Sequence, residues 1–363
     1  MSLRPEDLGP PNLLEVMARF EEVRPRFEKA QKRIAAGRGW EAETTTRLLE
    51  AAQWEAGHAA GTSVSHMKAG PAFGLQGYVG PRDNILGAEF LDHGVLAARA
   101  VCKIVRGVEV GTGFLVGEGV VLTNHHVISG PTQAKQVSFE FLFDDNTIGQ
   151  PRNSETYTAD PDGLVFADGD LDMCFVSLKE YDSAPPLRDF GWLPLLRKTG
   201  KIVIGEPVNV IHHPRGEAKK VVVHDSVFRF VEDREAEGTD ATDPFCWYSS
   251  DTEKGSSGAP VLNSRWEVVA LHHKAIPDTD KNGFVLDTEG RRIAKDRRDD
   301  PERQVRYIAN QGTRVSRIVE RLEQAEGLNA KAHQIRQALL DLWSLPNAAR
   351  FARNATCKAM PLL

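Results

Sequence analysis

Along the first part of the chain, Leu13, Met17, Phe20, Val23 and Phe27 recur at every third or fourth position, the repeat of one helix face. Pro25 falls inside this run and predicts a kink or a division, because proline lacks the N–H and its ring crowds the preceding turn. A second helical stretch is predicted from about Trp40 to Ala59, and residues 1–95 read as mostly helical. Gly, Pro and Ser gather in 61–83, which reads as a linker. From about Ala100 the pattern changes. Short apolar runs alternate with turn residues: AVCKIVRG, GTGFLVG, GVVLTNH, VSFEFLF, LDMCFVSL, PVNVIHH, VVVHDSVFRFV, FCWYSS, APVLN and EVVALHH. That spacing predicts a mainly β region, a sandwich or a barrel, rather than alternating β/α units. After Gln311 the helical repeat returns in Val315, Ile318, Val319 and Leu322, then in Ile335, Leu339, Leu340 and Trp343, with Pro346 as the stop. The expected organisation is an N-terminal helical region with its linker over 1–83, a β domain over 84–325 and a C-terminal helical extension over 326–363.

Composition narrows the class. Of 363 residues 41% are hydrophobic, enough for a normal core, and the net charge of -6 gives no attraction for nucleic acid or an anionic membrane. Neither partner is expected. No apolar run is long enough to span a bilayer, and the start, MSLRPEDLGPPNLL, has acids and prolines where a signal peptide has an apolar stretch. Cys102, Cys174 and Cys246 sit in apolar, strand-like runs, and neither they nor Cys357 form a CxxC pair. Four free thiols in a reducing, cytoplasmic setting are the expectation.

Candidate chemistry lies in three places. Gly255-Ser256-Ser257-Gly258-Ala259-Pro260 is a Gly-rich turn before an apolar run. Such a turn is either a plain β-turn or one that presents a serine hydroxyl beside backbone amides able to hold an oxyanion. Double histidines occur at 125/126, 212/213 and 272/273. None has the i, i+4 spacing of a HExxH metal site or a nearby cysteine, so no metal and no cofactor are expected. Asp168, Asp170 and Asp172 precede the apolar run MCFVSL. A serine, a base to take its proton and a carboxylate to orient that base are the parts of acyl transfer through serine.

GTGFLVGEGVVLTNHHVI (111–128) resembles the GTGFLV…LLTNHHV block of bacterial trypsin-like peptidases, and GSSGAP resembles their GDSGGP or GNSGSP signature. GEPVNVIHHPRGEAKKVVV (205–223) and YSSDTEKGSSGAPVLNSRWEVVALHH (248–273) are similar to blocks of the glutamyl-endopeptidase-like branch, as is VRYIANQGTRVSRIVERL at the barrel-to-helix ending. The resemblance covers about 84–325. It implies a chymotrypsin-like double β-barrel and an intracellular bacterial serine endopeptidase. It selects His126 as the base, Asp172 as the acid before the strand with Asp170 as the alternative, and Ser257 as the nucleophile. It puts the oxyanion donors at Gly255 and Ser257, and the site in the cleft between the barrels.

The same resemblance leaves specificity between two readings. Asp251 stands where trypsin places the acid that pairs with substrate Lys or Arg. Thr252 and His272 stand where glutamyl-specific relatives hold a substrate carboxylate, and the closer match of the whole block favours the acidic preference. Lys274 and Ala275 depart from the more usual ALHHSG at the substrate-binding edge. Ser256 replaces the aspartate that pairs with a new N-terminus in trypsin, so that activation step is not expected. Residues 1–95 are then the candidate regulatory region and the expected contact for a regulatory partner, while the peptidase is expected to activate or process a specific partner such as a defence effector. A catalytically inactive peptide-binding module is the competing function.

Overall fold

The computed structural model describes residues 2–8, 12–59, 86–231, 244–295 and 305–344. Two helices lead, α1 (Leu13–Ala35) and α2 (Thr45–Ala59), and α3 (Glu89–Arg99) runs into the first strand. Pro25 does not divide α1, which continues through it. The physical reason is that Pro25 is exposed, so the carbonyl it leaves without a donor can bond water. Phe20 and Phe27, on either side of it, are both buried.

The β region forms two antiparallel sheets. The first contains β1 (Val101–Arg106), β2 (Glu109–Gly117), β3 (Val120–Thr123), β4 (Ser138–Phe141), β5 (Glu155–Thr158), β6 (Val165–Asp168) and β7 (Met173–Ser177), with a short helix α4 (Pro131–Ala134) before β4. Their order is β5-β4-β1-β2-β3-β7-β6, and a bridge between Ala159 and Leu178 draws the β5 end toward β7. The second contains β8 (Asn209–His212), β9 (Lys220–Val222), β10 (Val227–Val231), β11 (Phe245–Ser249), β12 (Pro260–Leu262), β13 (Val268–Pro277) and β14 (Tyr307–Arg314). Its order is β10-β11-β14-β13-β12-β8-β9, and a bridge from Pro207 to Val227 draws the opposite side round. This is the double-barrel architecture expected from the sequence. Helices α5 (Val315–Glu323) and α6 (Ala330–Ser344) follow.

Each barrel has its own core. Phe114, Phe139, Phe141, Tyr157 and Phe175 are wholly buried in the first. Helix α6 caps it: Trp343 Nε1 donates to Val116 O at 2.7 Å, and Leu339 lies over Gly117, where a Cβ would come within 2.3 Å of Leu339 Cδ2. The second barrel buries Trp247, Tyr248, Phe228 and Val261 in one cluster with Val16, Phe20, Val23, Phe27 and Ala30 of α1. Helix α1 is therefore part of the second barrel's core. The start of α2 is tied to the same barrel by the buried Arg47–Glu43 pair: Arg47 Nη2 donates to Ile202 O at 3.0 Å, and Glu43 Oε1 accepts from Ile204 N at 2.7 Å. The linker expected at 61–83 and Pro346 lie outside the described residues. Among the described residues no helix is long and apolar enough to cross a membrane.

Candidate active site

Three connections bring the candidate residues to the seam between the barrels. His126 and Asp172 come from loops of the first barrel, after β3 and before β7, because those two strands are paired neighbours. Ser257 precedes β12, which pairs with β13. β13 carries His272 and His273. His272 N donates to Ala259 O at 2.9 Å and Gly258 N to His272 O at 3.2 Å, which fastens the serine turn to β13. Thr313 Oγ1 of β14 donates across the seam to Leu171 O at 2.8 Å, beside Asp172. Gly111 sits between Val127 and the Ser257 carbonyl, so the histidine and serine segments flank one residue.

Asp172 is nine-tenths or more buried and takes a left-handed φ of 48°, a conformation Asp tolerates better than most residues. Its Oδ2 lies 2.6 Å from His126 Nδ1, its Oδ1 accepts from His126 N at 2.9 Å, and Asn124 Nδ2 donates to its carbonyl at 2.8 Å. His273 Nε2 stands 3.0 Å from the same Oδ2, off the line of a straight hydrogen bond. Burial by itself would raise this carboxyl, but His126 and His273 hold it well below the usual carboxylate range. An ionised carboxylate at His126 Nδ1 fixes the proton there and leaves Nε2 with a lone pair able to accept one. Asp170 is exposed, and Asp168 pairs with Arg321.

His126, Asp172 and His273 offer three donor atoms within 4.8 Å of one another. Of these contacts only His126 Nδ1 to Asp172 Oδ2 is a hydrogen bond, while His273 Nε2 faces the same oxygen at 3.0 Å. His273 Nδ1 faces Gln311 Oε1 at 2.9 Å, while the Gln311 amide nitrogen is buried without a hydrogen-bond partner. Turning that amide over lets Gln311 donate to Nδ1 of a neutral His273, whose Nε2–H then faces Asp172. Burial lowers His273 and keeps it neutral.

The two serines of the turn differ. Ser256 is wholly buried: its Oγ lies 2.7 Å from His212 Nδ1 and accepts from Glu253 N at 3.0 Å. Burial pushes His212 down to about 4, so it is a neutral partner. Ser257 is half-buried and its Oγ hydrogen-bonds no described residue. The amides of Ser256, Gly258 and Ala259 donate to carbonyls, whereas those of Gly255 and Ser257 donate to none among the described residues. Gly255 has φ 97°, and a Cβ there would fall 2.6 Å from His213 O. Gly258 has φ 87°, and a Cβ would fall 2.1 Å from Thr112 O. Gly258→Ala is expected to destabilise the protein by overpacking, about 1–3 kcal/mol, and by its left-handed backbone, about 1–2 kcal/mol. A urea midpoint unchanged from wild type would contradict this.

The residues expected to set specificity are spread over one end of the second barrel. Asp251 is exposed. Thr252 Oγ1 donates to Asn310 Oδ1 at 2.9 Å. His272 is buried, with Nδ1 2.5 Å from the Tyr248 hydroxyl. Burial pushes His272 down to about 3 and Tyr248 well up, so the phenol donates to Nδ1 and the imidazole keeps its proton on Nε2. Tyr248, Asn310 and Gln311 were not singled out from sequence, and His212 and His273 were noted only as members of histidine pairs. The paired histidines were visible, but their partners come from distant strands. Lys274, the departure from the usual motif, is buried and its Nζ donates to Asn12 Oδ1, tying the start of α1 to β13.

Residues 111–271 match the family model of the trypsin-like peptidase domain. An uncharacterized protein, y4fB, of Sinorhizobium fredii is 35% identical over 244 residues, 63% of this chain and 36% of that protein. Secreted RxLR effector protein 73 of Plasmopara viticola is 34% identical over 203 residues, 52% of this chain and 48% of that protein. The chain thus spans less than half the length of these curated relatives. Among solved structures, the Rv3671c protease in its inactive form is 18% identical with a TM-score of 0.41, over 66% of this chain and 97% of that one. The active form from M. tuberculosis is 18% identical with a TM-score of 0.40, over 71% and 99%. At that likeness the strand pairings above stand on their own.

Proposed function

From the premise that residues 111–271 form a trypsin-like peptidase domain, we propose that this chain is a serine endopeptidase working through an acyl-enzyme. The observation that carries this is the buried Asp172 carboxylate 2.6 Å from His126 Nδ1, across the seam from a serine whose hydroxyl is uncommitted. In this reading Ser257 Oγ attacks the scissile carbonyl and His126 Nε2 takes its proton. Asp172 steadies the imidazolium without itself taking the proton. The carbonyl oxygen, now an oxyanion, is held by the Gly255 and Ser257 amides. The C–N bond then breaks as His126 returns the proton to the amine, and water repeats the sequence to release the acid.

The specificity reading follows the charge balance. Asp251 is exposed, where water weakens its field, while neutral His272 offers an Nε2–H donor. A donor without an opposing buried charge suits an acceptor side chain, so an acidic residue before the scissile bond is favoured. The buried free thiols of Cys102, Cys174 and Cys246 suit a reducing compartment.

A phosphonofluoridate probe followed by peptide mapping tests the chemistry, and cleavage of a peptide library tests the preference. Labelling at Ser257 and cuts after Glu or Asp are expected. A folded protein that takes no label supports the peptide-binding module instead, and cuts after Lys or Arg return the pocket to Asp251.

A further inference from the structure

Thr112 of β2 is wholly buried, and its polar atoms all act at the seam. β3 pairs with β2 only at Phe114, Leu115 and Gly117, so Thr112 lies beyond that pairing. Its amide donates instead to Ser257 O at 2.8 Å. Its hydroxyl donates to Gly255 O at 2.8 Å and accepts from His213 N at 3.1 Å. Its carbonyl accepts from Thr123 Oγ1 at 2.7 Å.

The effect is on peptide planes. None of the peptide bonds is cis among the described residues, and a trans peptide points its C=O and the following N–H to opposite sides. Anchoring a carbonyl therefore aims the next amide. Lys254 O is held by Arg215 N at 2.5 Å and Ser256 O by Ala259 N at 3.0 Å. Gly255 O and Ser257 O are both held by Thr112. Four consecutive planes are pinned, two of them from the other barrel by one residue. The amides left over are those of Gly255 and Ser257.

We propose that Thr112 is a positioning residue that fixes, from the opposite barrel, the peptide planes between and after those of the two oxyanion-stabilising amides and so keeps the two in register; this rests on the serine-peptidase reading above. It touches no substrate atom and acts through the backbone of the serine turn. Its hydroxyl does from the first barrel what a charged partner at position 256 cannot do here, since Ser256 is neutral and bonded to His212. Loss of the hydroxyl removes the anchor of Gly255 O from the plane that lies between the two donor planes and leaves that plane held only by Ser256 N on Glu253 O, so the donors on either side of it lose register. Removing one such donor outright costs about 10²–10³ in kcat, so loosening its support is expected to cost about 10–10².

The test compares the full chain with Thr112→Val, which keeps the branched shape and removes the donor, and Thr112→Ser, which restores it. For Thr112→Val, kcat should fall about 10–10²-fold with KM within about threefold, because the loss lies in the transition state. Affinity for a peptide aldehyde, whose adduct carries the oxyanion, should fall in parallel with kcat/KM. Affinity for the product peptide should not change, and serine should recover kcat to within about threefold. A valine variant with wild-type kcat overturns the inference and leaves the peptidase reading standing. So does one that loses product and aldehyde affinity alike. If valine prevents folding, Thr112→Cys, a small side chain with a weak donor, serves in its place. There an intermediate kcat supports the inference and an unchanged one overturns it. A wild-type protein that neither labels nor turns over overturns both readings.

Discussion

Ser257→Ala is expected to abolish peptide turnover and leave the fold in place. The hydroxyl is half-buried and hydrogen-bonds no described residue, so its removal orphans no polar group and opens no sizeable cavity. What it removes is the reacting atom. Residual catalysis of about 10³–10⁴ over water would remain from the oxyanion donors and substrate binding. Ser256→Ala gives the contrast. Its hydroxyl serves His212 Nδ1 and Glu253 N, and both lose their partner. The expected cost is about 1–3 kcal/mol of stability for each buried group left unsatisfied, with turnover reduced but present. Steady-state turnover and urea unfolding of the two variants separate the roles. Near-wild-type turnover in Ser257→Ala, with loss in Ser256→Ala, would move the nucleophile by one residue.

Removing α1 is expected to unfold the second barrel, and its central side chain can be tested alone. Phe20 is wholly buried, with its ring centroid 5.0 Å from that of Trp247 and 5.2 Å from that of Phe27, both edge-on. Phe20→Ala should cost about 3–5 kcal/mol, the usual range for a buried phenylalanine replaced by alanine. Against a whole-domain stability of about 5–15 kcal/mol that is a large share. A chain begun near Leu86 would lose Val16, Phe20, Val23, Phe27 and Ala30 together and expose the barrel residues they cover. Such a chain should be insoluble or lack a cooperative transition. A truncated chain that kept native circular dichroism and the wild-type unfolding midpoint would show that α1 only rests on the barrel, and would return the helices to a purely regulatory part.

The linear pattern determined whatever depends on near neighbours. Alternation and turn residues indicate strands from Ala100 onward, and β1 begins at Val101. The resemblance of the histidine and aspartate blocks to those of trypsin-like peptidases, not any pattern of spacing, named His126 and Asp172, which the fold places 2.6 Å apart. The helical repeat of α1 was legible for the same reason, and the face it named is the buried one. Of the two outcomes expected at Pro25, the division does not occur, because a local rule counts the missing donor but not the exposure of the freed carbonyl to solvent.

Tertiary structure decided what depends on segments far apart in the chain. Nothing in the spacing of Leu13 to Phe27 says which barrel that face covers, since apolar burial is non-directional and any complementary surface would serve. His273 reaches Asp172 only because β13 runs along the seam. Thr112 stood in the GTGFLV motif, yet its partners Gly255 and Ser257 lie in the other barrel. Hydrogen bonds are short and directional, so partners well over a hundred residues apart are chosen by how two barrels dock and not by any local pattern.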